Sequence, residues 1–422
     1  MSGANSSLGS STLTRSITFA LLCLPALAHG TNGYFSHGYG VKAEGIAGVG
    51  IALAQDSLTL AANPAGLTAV PDTFDLSATA FQPDRGATLV QGGQSTRYSG
   101  NDTKTFLIPA LGYVRRVSDR LTIGVAIYGN GGMNTDYARN PFERFGARGR
   151  TGVDLSQAFI SPGIALKISE RQSIGLTINA AYQRFEGKGV GLFAGFSATP
   201  AAVSDRGHDS GSGVGVRLGW QGQVTDKLTL GATWQSRINT DTFSKYAGLF
   251  ADQGGFDIPS SWGVGADYRI SDRWRVAVDY QRINYSDVGS VGNSVARLFA
   301  GRPLGATDGP GFGWRDVSVV KLGTIVQLNE QLTLRTGVSH NRQPIPAEET
   351  FFNVLAPGVV EDHVTLGATW KIGSNNEISA SVMHALDKTV NGRGSIPANF
   401  GGGEFNIRLA ETSLGLGFAR RF

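Results

Sequence analysis

Histidines, carboxylates and serines are the residue types here that could carry out enzyme chemistry, but their spacing does not favour it. The histidines show no metal-site spacing to carboxylates or thiols. They are His29, His37, His208, His340, His363 and His384. The run His208-Asp209-Ser210 contains the residue types of a hydrolytic triad, yet three consecutive residues cannot form its relay. We therefore predict no catalytic residue and no metal. A lipid hydrolase stays open as an alternative only if a serine and a histidine pair on adjacent strands.

Cofactor and nucleic-acid binding are also disfavoured. The run Gly38-Tyr39-Gly40-Val41-Lys42-Ala43 mimics a dinucleotide-binding loop, but no hydrophobic strand precedes it, so a turn is the better interpretation. The net charge of +4 is scattered over 422 residues without a basic run. The sequence predicts no cofactor and no nucleic-acid partner.

Three long loops contain the same apolar triplet. The triplets are Leu192-Phe193-Ala194, Leu249-Phe250-Ala251 and Leu298-Phe299-Ala300, with Phe196 close to the first. Apolar side chains in an aqueous loop need cover, either from each other or from a ligand. We predict that they form a capture surface for an acyl chain or hydrocarbon, and a self-packed loop cluster is the alternative.

Alternating strands position these loops. In the strand from Leu228, apolar residues through Trp234 alternate with polar residues from Thr229 to Arg237. A soluble β-sandwich shows the same alternation. These strands, however, run ten residues or more, against roughly five or six in globular sheets, and aromatic residues lie near the ends of the apolar faces. The pattern favours a membrane barrel with apolar side chains outward.

Short polar turns recur six times, about fifty residues apart, the first being Val117-Ser118-Asp119-Arg120. Long loops alternate with them, the first predicted over 83–104 and the second over 129–152. The strand starts number fourteen, an even number with both ends on the short-turn side. The chain closes on Phe422, a terminal aromatic of the kind that outer-membrane assembly machinery reads. The predicted fold is an all-β, fourteen-stranded antiparallel transmembrane β-barrel over residues 72–422.

Two segments precede the barrel. Residues 1–28 resemble a signal peptide, with Arg15, an apolar core and a small-residue cleavage site at Ala26-Leu27-Ala28. Cys23, the single cysteine, would leave with it. Residues 29–71 lack strand periodicity and are apolar to neutral. We expect them to form a plug in the lumen, because fourteen strands enclose more space than their own side chains fill.

The motif Asn63-Pro64-Ala65-Gly66-Leu67 resembles the hatch motif of the FadL/TodX family of outer-membrane transporters of hydrophobic compounds. Further similarities follow in the family's order: Ile258-Pro259 before Trp262, Pro344-Ile345-Pro346-Ala347 and Val382-Met383-His384. The resemblance implies a barrel closed by an N-terminal hatch, with external capture, a lumen site and sideways release beside a kinked third strand.

Several residues take roles from this resemblance. Asn63, Pro64 and Ala65 would belong to the hatch, and contact of ligand with residues near Tyr34 and Phe35 would shift it between closed and open populations. The glycines Gly129, Gly131 and Gly132 follow the third strand and would permit its inward kink. An ordinary flexible loop start is the alternative for these glycines.

A carboxylate-bearing substrate would need a cation in the lumen. Alternation places Arg315 inward with Lys321, because Val320 and Leu322 face outward. The resemblance also places a basic ligand-contacting residue at Arg315, and an arginine that holds the hatch is the alternative. Lys188 is a weaker candidate, since its parity matches the outward face of its strand.

The sequence thus predicts a monomeric outer-membrane barrel that passively transports long-chain fatty acids or aromatic hydrocarbons past the lipopolysaccharide barrier. It is not expected to be an enzyme. An exporter on the same fold and a lipid hydrolase are the alternatives, and a general porin is the third.

Overall fold

The computed structural model describes residues 32–422, so the predicted signal peptide and residues 29–31 lie outside the described part of the chain. Fourteen antiparallel strands close into one barrel, because the last strand pairs with the first. The predicted fold class is therefore confirmed. The strands are β1 (Thr73–Gln91), β2 (Gln94–Ser99), β3 (Phe106–Arg116), β4 (Leu121–Tyr137), β5 (Thr151–Ser169), β6 (Gln172–Lys188), β7 (Asp209–Gln223), β8 (Leu228–Gln235), β9 (Ser261–Ser271), β10 (Trp274–Ile283), β11 (Val317–Gln327), β12 (Leu332–Asn341), β13 (Asp362–Ile372), β14 (Asn376–Val390) and β15 (Glu404–Arg421).

The strand β2 lies outside the set of fourteen. Within the described chain it pairs only with the C-terminal part of β1, which continues to Gln91 through the region predicted as a loop. In the same way β4 continues to Tyr137, although a loop was predicted from Gly129. Both predictions of loop start are wrong for one reason: apolar alternation ends there while backbone pairing to β15 and β5 continues.

The barrel has an apolar outside and a polar inside. Exposed large side chains include Leu76, Ile178, Val278, Leu366 and Leu416 on separate strands. Buried polar side chains such as Thr79, Gln157 and Asn179 point inward. This arrangement is the reverse of that in a water-soluble core and matches a hydrocarbon surrounding. No helix among residues 32–422 is long and apolar enough to cross a membrane.

Side chains within the short turns fix the hairpins. The Ser118 hydroxyl accepts a hydrogen bond from the Leu121 amide at 3.1 Å, and Thr225 does the same for Leu228 at 3.0 Å. Asn329 repeats the contact with Leu332 at 2.8 Å. Such local bonds are the reason why Ser, Thr and Asn start tight turns.

Short helical turns occupy the N-terminal segment and the long loops. In the N-terminal segment they are Val41–Glu44, Ser57–Ala61 and Pro64–Ala69. In the loops they are Glu143–Phe145, Gly191–Phe196, Pro200–Ala202, Ser244–Tyr246, Ala251–Gly254, Tyr285–Asp287, Gly289–Gly292, Ala296–Phe299, Ala347–Glu349, Thr350–Asn353 and Ala398–Phe400.

Candidate functional site

The N-terminal segment, residues 32–71, contacts inward-facing groups on strands all around the barrel. Asn63 is fully buried and caps the turn Pro64–Ala69, its Oδ1 accepting from the Ala65 amide at 3.1 Å. Its Nδ2 donates to the Ile51 carbonyl at 2.7 Å and to the Trp220 carbonyl of β7 at 2.9 Å. One amide side chain thus joins two parts of the segment to the barrel wall.

Glycines on the inner wall allow this close approach. A Cβ at Gly219 would lie 1.9 Å from Asn63 Oδ1, and one at Gly175 would lie 2.3 Å from the Ala65 nitrogen. The wall is therefore shaped to receive the Asn63-Pro64-Ala65 motif.

Charged side chains from the wall hold the rest of residues 41–70, which we call the anchor region. Asp279 accepts from the amides of Gly50 and Ile51, at 2.8 and 3.0 Å. Near the start of the anchor region, Lys42 forms an ion pair with Glu377 of β14 at 2.9 Å. Lys321 donates to the carbonyl of Gly48 at 3.2 Å, so alternation placed this lysine inward correctly.

Residues 32–36, which we call the tip, are held differently. The Tyr285 hydroxyl accepts from the amides of Tyr34 and Phe35, both at 3.2 Å, and donates to the Asn32 carbonyl at 2.5 Å. The rings of Tyr285 and Trp314 pack on Tyr34 at centroid distances of 5.0 and 6.0 Å. Burial raises the pKa of the Tyr285 phenol, so it stays a neutral hydroxyl. The tip is bound through backbone and aromatic contacts.

The strand β4 bends toward the tip at Gly129–Gly132. Its register with β5 shifts there, since Gly129 opposes Ala158 and Gly131 opposes Gln157, leaving Asn130 as an extra residue. The Asn130 carbonyl accepts from the Ser36 amide at 3.0 Å, and the Gly132 amide donates to the Tyr34 carbonyl at 2.9 Å. A Cβ at Gly131 would lie 2.0 Å from that Tyr34 oxygen. Glycine is thus required for the contact between the bend and the tip.

A gap in the wall accompanies this bend. The pairing of β3 with β4 ends at Leu111 and Ile127. Above it, in the described chain, residues 106–110 of β3 have no ladder pairing to β4, and the next link is the bridge between Asn101 and Asp136. We call this gap the window.

The long loops enclose an apolar pocket at their end of the barrel, which we call the loop pocket. It is narrow, with a cavity volume of about 40 Å³. Of the predicted capture residues, Phe193, Leu249 and Phe250 line it. Leu192 and Phe196 pack, partly buried, against the same apolar cluster.

Two predicted capture residues do not line the loop pocket. Leu298 is buried in the apolar cluster but does not line the loop pocket. Phe299 is 40% exposed and lies outside it. The helical turn Ala296–Phe299 causes the difference, because consecutive helical residues point in different directions.

The lumen position predicted for Arg315 is wrong. The strand β11 begins at Val317, so alternation does not extend to Arg315. Its side chain is 67% exposed and lies 3.7 Å from Glu348 in the loops. Lys188 also fails as a lumen cation, because it ends β6, is 56% exposed and pairs with Glu186 at 3.0 Å.

Sequence reasoning missed several residues of the site. The loop pocket is also lined by Phe185, Phe312, Phe352 and Leu355. The pair Phe351-Phe352 in a polar loop carries the same signal as the three triplets and could have been found. Tyr285 carries no local signal, since its partners are some 250 positions away.

Among residues 32–422, no group of three or more histidine, cysteine or acidic side chains could hold a metal ion. The features that stand out are the loop pocket, the tip, the bend and the window. The tip contacts the bend, and the window lies beside the bend in the barrel wall.

Comparisons with known proteins agree with this architecture. The long-chain fatty acid transport protein of Salmonella typhi is 23% identical over 379 residues, covering 81% of this chain and 84% of that protein. The protein of the same name from Escherichia coli K12 is 23% identical over 393 residues, with the same coverage.

Solved structures show the same fold. A Pseudomonas aeruginosa FadL homologue matches with a TM-score of 0.70 at 15% identity, covering 92% of this chain and 100% of that one. The Pseudomonas putida toluene transporter TodX matches with a TM-score of 0.66 at 17% identity, covering 92% and 99%.

Residues 27–422 match the family described as outer membrane protein transport protein (OMPP1/FadL/TodX). The match spans nearly the whole chain and agrees with the resemblance that the hatch motif indicated. The chain is a transport protein of the outer membrane and not an enzyme. It belongs to the OMPP1/FadL/TodX family of outer-membrane transporters of hydrophobic compounds.

Proposed function

We propose that this protein passively carries long-chain fatty acids or aromatic hydrocarbons inward by capture in the loop pocket, movement past the tip and release through the window. The observation that carries the proposal is the contact of the tip with the bend in β4, directly where β3 and β4 part. The fatty acid transport proteins of Salmonella typhi and Escherichia coli and the toluene transporter TodX support the two substrate classes.

Capture begins at the loop pocket. Its lining is aromatic and apolar, and Phe193 and Phe352 stack edge to face with ring centroids 5.2 Å apart. Burial of an acyl chain or ring against such side chains is favourable by roughly 25 cal/mol per Å² of apolar surface. Because the cavity holds only about 40 Å³, the loops must separate to admit a ligand. The same residues that close the pocket would then line it.

The tip acts as the gate. A ligand that contacts Tyr34 and Phe35 competes with the aromatic packing of Tyr285 and Trp314 and so favours an open population. The tip then withdraws from the bend in β4, and residues 32–71 act as the hatch. The anchor region keeps its wall contacts, so no wide water channel forms.

Release is sideways. The exterior of β3 beside the window is apolar, with Leu107 half exposed to the surroundings of the barrel. A hydrophobic molecule that leaves through the window enters hydrocarbon directly and avoids renewed contact with water. Net flux follows the concentration gradient, and no cofactor takes part.

We also propose how the protein is placed and assembled in its membrane. It acts as a monomer in the outer membrane, and the lipopolysaccharide layer is the barrier that its substrates avoid. The exposed terminal Phe422, 5.9 Å from the Tyr113 ring, serves as the signal for the barrel assembly machinery.

Deletion of Asn130 tests the proposal. Removing the extra residue restores a continuous register between β4 and β5, straightens β4 and lets it pair with β3 across the window. Uptake of labelled oleate and toluene should fall to the level of cells that lack the protein. Asn130→Ala keeps the extra residue and is the matched control. Undiminished uptake by the deletion variant would rule out release through the window.

A further inference from the structure

A second small cavity lies at the inner side of the wall, and we call it the inner pocket. It is formed where the tip, the bent part of β4, and β1 and β15 meet, and its cavity volume is about 40 Å³. Its lining includes Gly33 of the tip, Gly132 and Met133 of β4, Phe81 of β1 and Leu409 of β15. Phe81 is paired with Phe106, which borders the window. A molecule moving from the tip to the window therefore passes the inner pocket.

One buried carboxyl group faces this largely apolar space. Glu411 is 2% exposed, and its buried Oε2 has no hydrogen-bond partner among residues 32–422. A buried polar atom without a partner costs free energy, because the bonds it made to water are not replaced. Native proteins retain few such atoms, and each one requires an explanation. An oxygen that awaits a donor from a ligand provides one.

Arg85 lines the same pocket but is committed elsewhere. Its guanidinium donates to the backbone and side-chain oxygens of Asn134, at 2.5 and 2.8 Å, and to the carbonyl of Thr103. No ion pair joins Arg85 to Glu411 within the described residues. The inner pocket thus contains the Arg85 guanidinium, which is held in place by hydrogen bonds. It also contains a Glu411 oxygen that accepts no hydrogen bond from the described residues.

These groups restrict the chemistry of a ligand. The Arg85 guanidinium disfavours an ammonium group. A pure hydrocarbon would leave the Glu411 oxygen unsatisfied. When the tip withdraws and the inner pocket widens, a neutral hydroxyl group can donate to this oxygen, and the apolar remainder of such a molecule can lie against Phe81, Met133 and Leu409.

We propose that Glu411 in the inner pocket recognises the hydroxyl group of an otherwise hydrophobic alcohol or phenol on its way to the window. This inference rests on the proposed transport function and gives it a specificity determinant. Glu411 would favour hydroxylated molecules over hydrocarbons of the same size.

Uptake of p-cresol and toluene tests this, because the two compounds differ only by the hydroxyl group. Glu411→Leu removes the acceptor, and we expect protein-dependent uptake of p-cresol to fall about tenfold while that of toluene changes less than twofold. Glu411→Gln keeps a carbonyl acceptor and should retain most p-cresol uptake. Glu404→Leu, near the start of the same strand and outside the pocket lining, is the matched control.

The outcomes separate the two proposals. If Glu411→Leu leaves p-cresol uptake unchanged, or lowers uptake of both compounds equally, hydroxyl recognition is overturned. If the wild-type protein supports uptake of neither p-cresol, toluene nor oleate, the transport function itself is overturned. Surface amounts of each variant, measured on intact cells, normalise every comparison.

Discussion

The two ends of the N-terminal segment are attached to the barrel by different means. The anchor region is held through amide, carboxylate and ammonium groups. Its own Asn63 donates to the wall, and Asp279 and Lys321 of the wall bond to its backbone. The tip is held by aromatic packing and by hydrogen bonds of its backbone to Tyr285 and to the bend in β4. Charged and amide contacts in a buried setting are costly to break singly. The difference indicates that the tip can move while the anchor region stays in place.

The largest expected effect comes from weakening the anchor. Asn63→Ala removes one donor group that serves two carbonyls and one acceptor that serves the Ala65 amide. We expect a loss of about 3 kcal/mol in the local stability of residues 50–67. Hydrogen exchange in those residues should accelerate by about two orders of magnitude. Asn391→Ala, at an exposed loop position, should leave hydrogen exchange in residues 50–67 unchanged. Equal exchange rates there in Asn63→Ala and Asn391→Ala would contradict the anchor role.

A weaker but more selective effect is expected at the tip. Tyr285→Phe removes the hydroxyl that binds Asn32, Tyr34 and Phe35 and leaves the ring in place. We expect about 2 kcal/mol less stability at residues 32–36, with exchange in the anchor region unchanged and hydrophobic uptake increased severalfold. Tyr268→Phe, on the exposed face of β9, is the control. If exchange rises equally in tip and anchor, the two regions move as one.

The loop residues that pack on the tip should be sensitive to pH. Burial raises the pKa of Glu349, whose main chain accepts from Asn353, and Asn353 in turn accepts from the Trp314 indole. A raised carboxyl pKa favours the protonated form in the closed loops. Closed loops are thus most stable at acidic pH and lose stability as pH rises from the ordinary carboxyl value through the raised one.

Hydrogen exchange at residues 312–314 checks this, compared at each pH with Glu349→Gln. The variant should show a flatter pH response than wild type, with an effect smaller than that of Tyr285→Phe. Glu330→Gln, at an exposed position in a short turn, should keep the wild-type response. An identical response in wild type and Glu349→Gln would remove Glu349 as the source of the pH dependence.

The smallest effect is expected at Arg315. Its ion pair with Glu348 is exposed, and such pairs contribute no more than about 1 kcal/mol. Arg315→Ala should therefore change oleate uptake less than twofold and leave exchange in both tip and anchor unchanged. Lys188→Ala should likewise change oleate uptake less than twofold. A tenfold loss of oleate uptake would restore the predicted role of Arg315 as the substrate's cation.

Much of the barrel could be predicted because its signals are local. Alternating apolar residues and the Ser, Thr and Asn turns depend on neighbours a few positions apart, and they located the short-turn side of the barrel correctly. The prediction failed where the direction of a side chain depended on the exact residue at which a strand begins. Lys321 points inward as alternation requires, whereas Arg315 precedes the first residue of β11, where alternation no longer holds.

The candidate site was predicted only in part for a related reason. Phe193 and Phe250 were recognised because apolar residues in a polar loop are visible in the sequence. The partners Tyr285 and Glu411 were not, since an isolated tyrosine or glutamate on a strand or loop has no distinguishing neighbours. Their importance arises from contacts over long separations in sequence.

The sequence by itself determined the fourteen-stranded barrel, its apolar exterior and the resemblance of the Asn63-Pro64-Ala65 motif, because these follow from residue type and short-range spacing. The tertiary structure alone decided where the wall opens and what faces the opening. The pairing of β4 with β3 ends at Ile127, the extra residue Asn130 follows in the bend, and closure of the barrel places Glu411 of the last strand opposite Pro83 of the first. Such an arrangement depends on strand register summed around the whole barrel, and no local pattern encodes it.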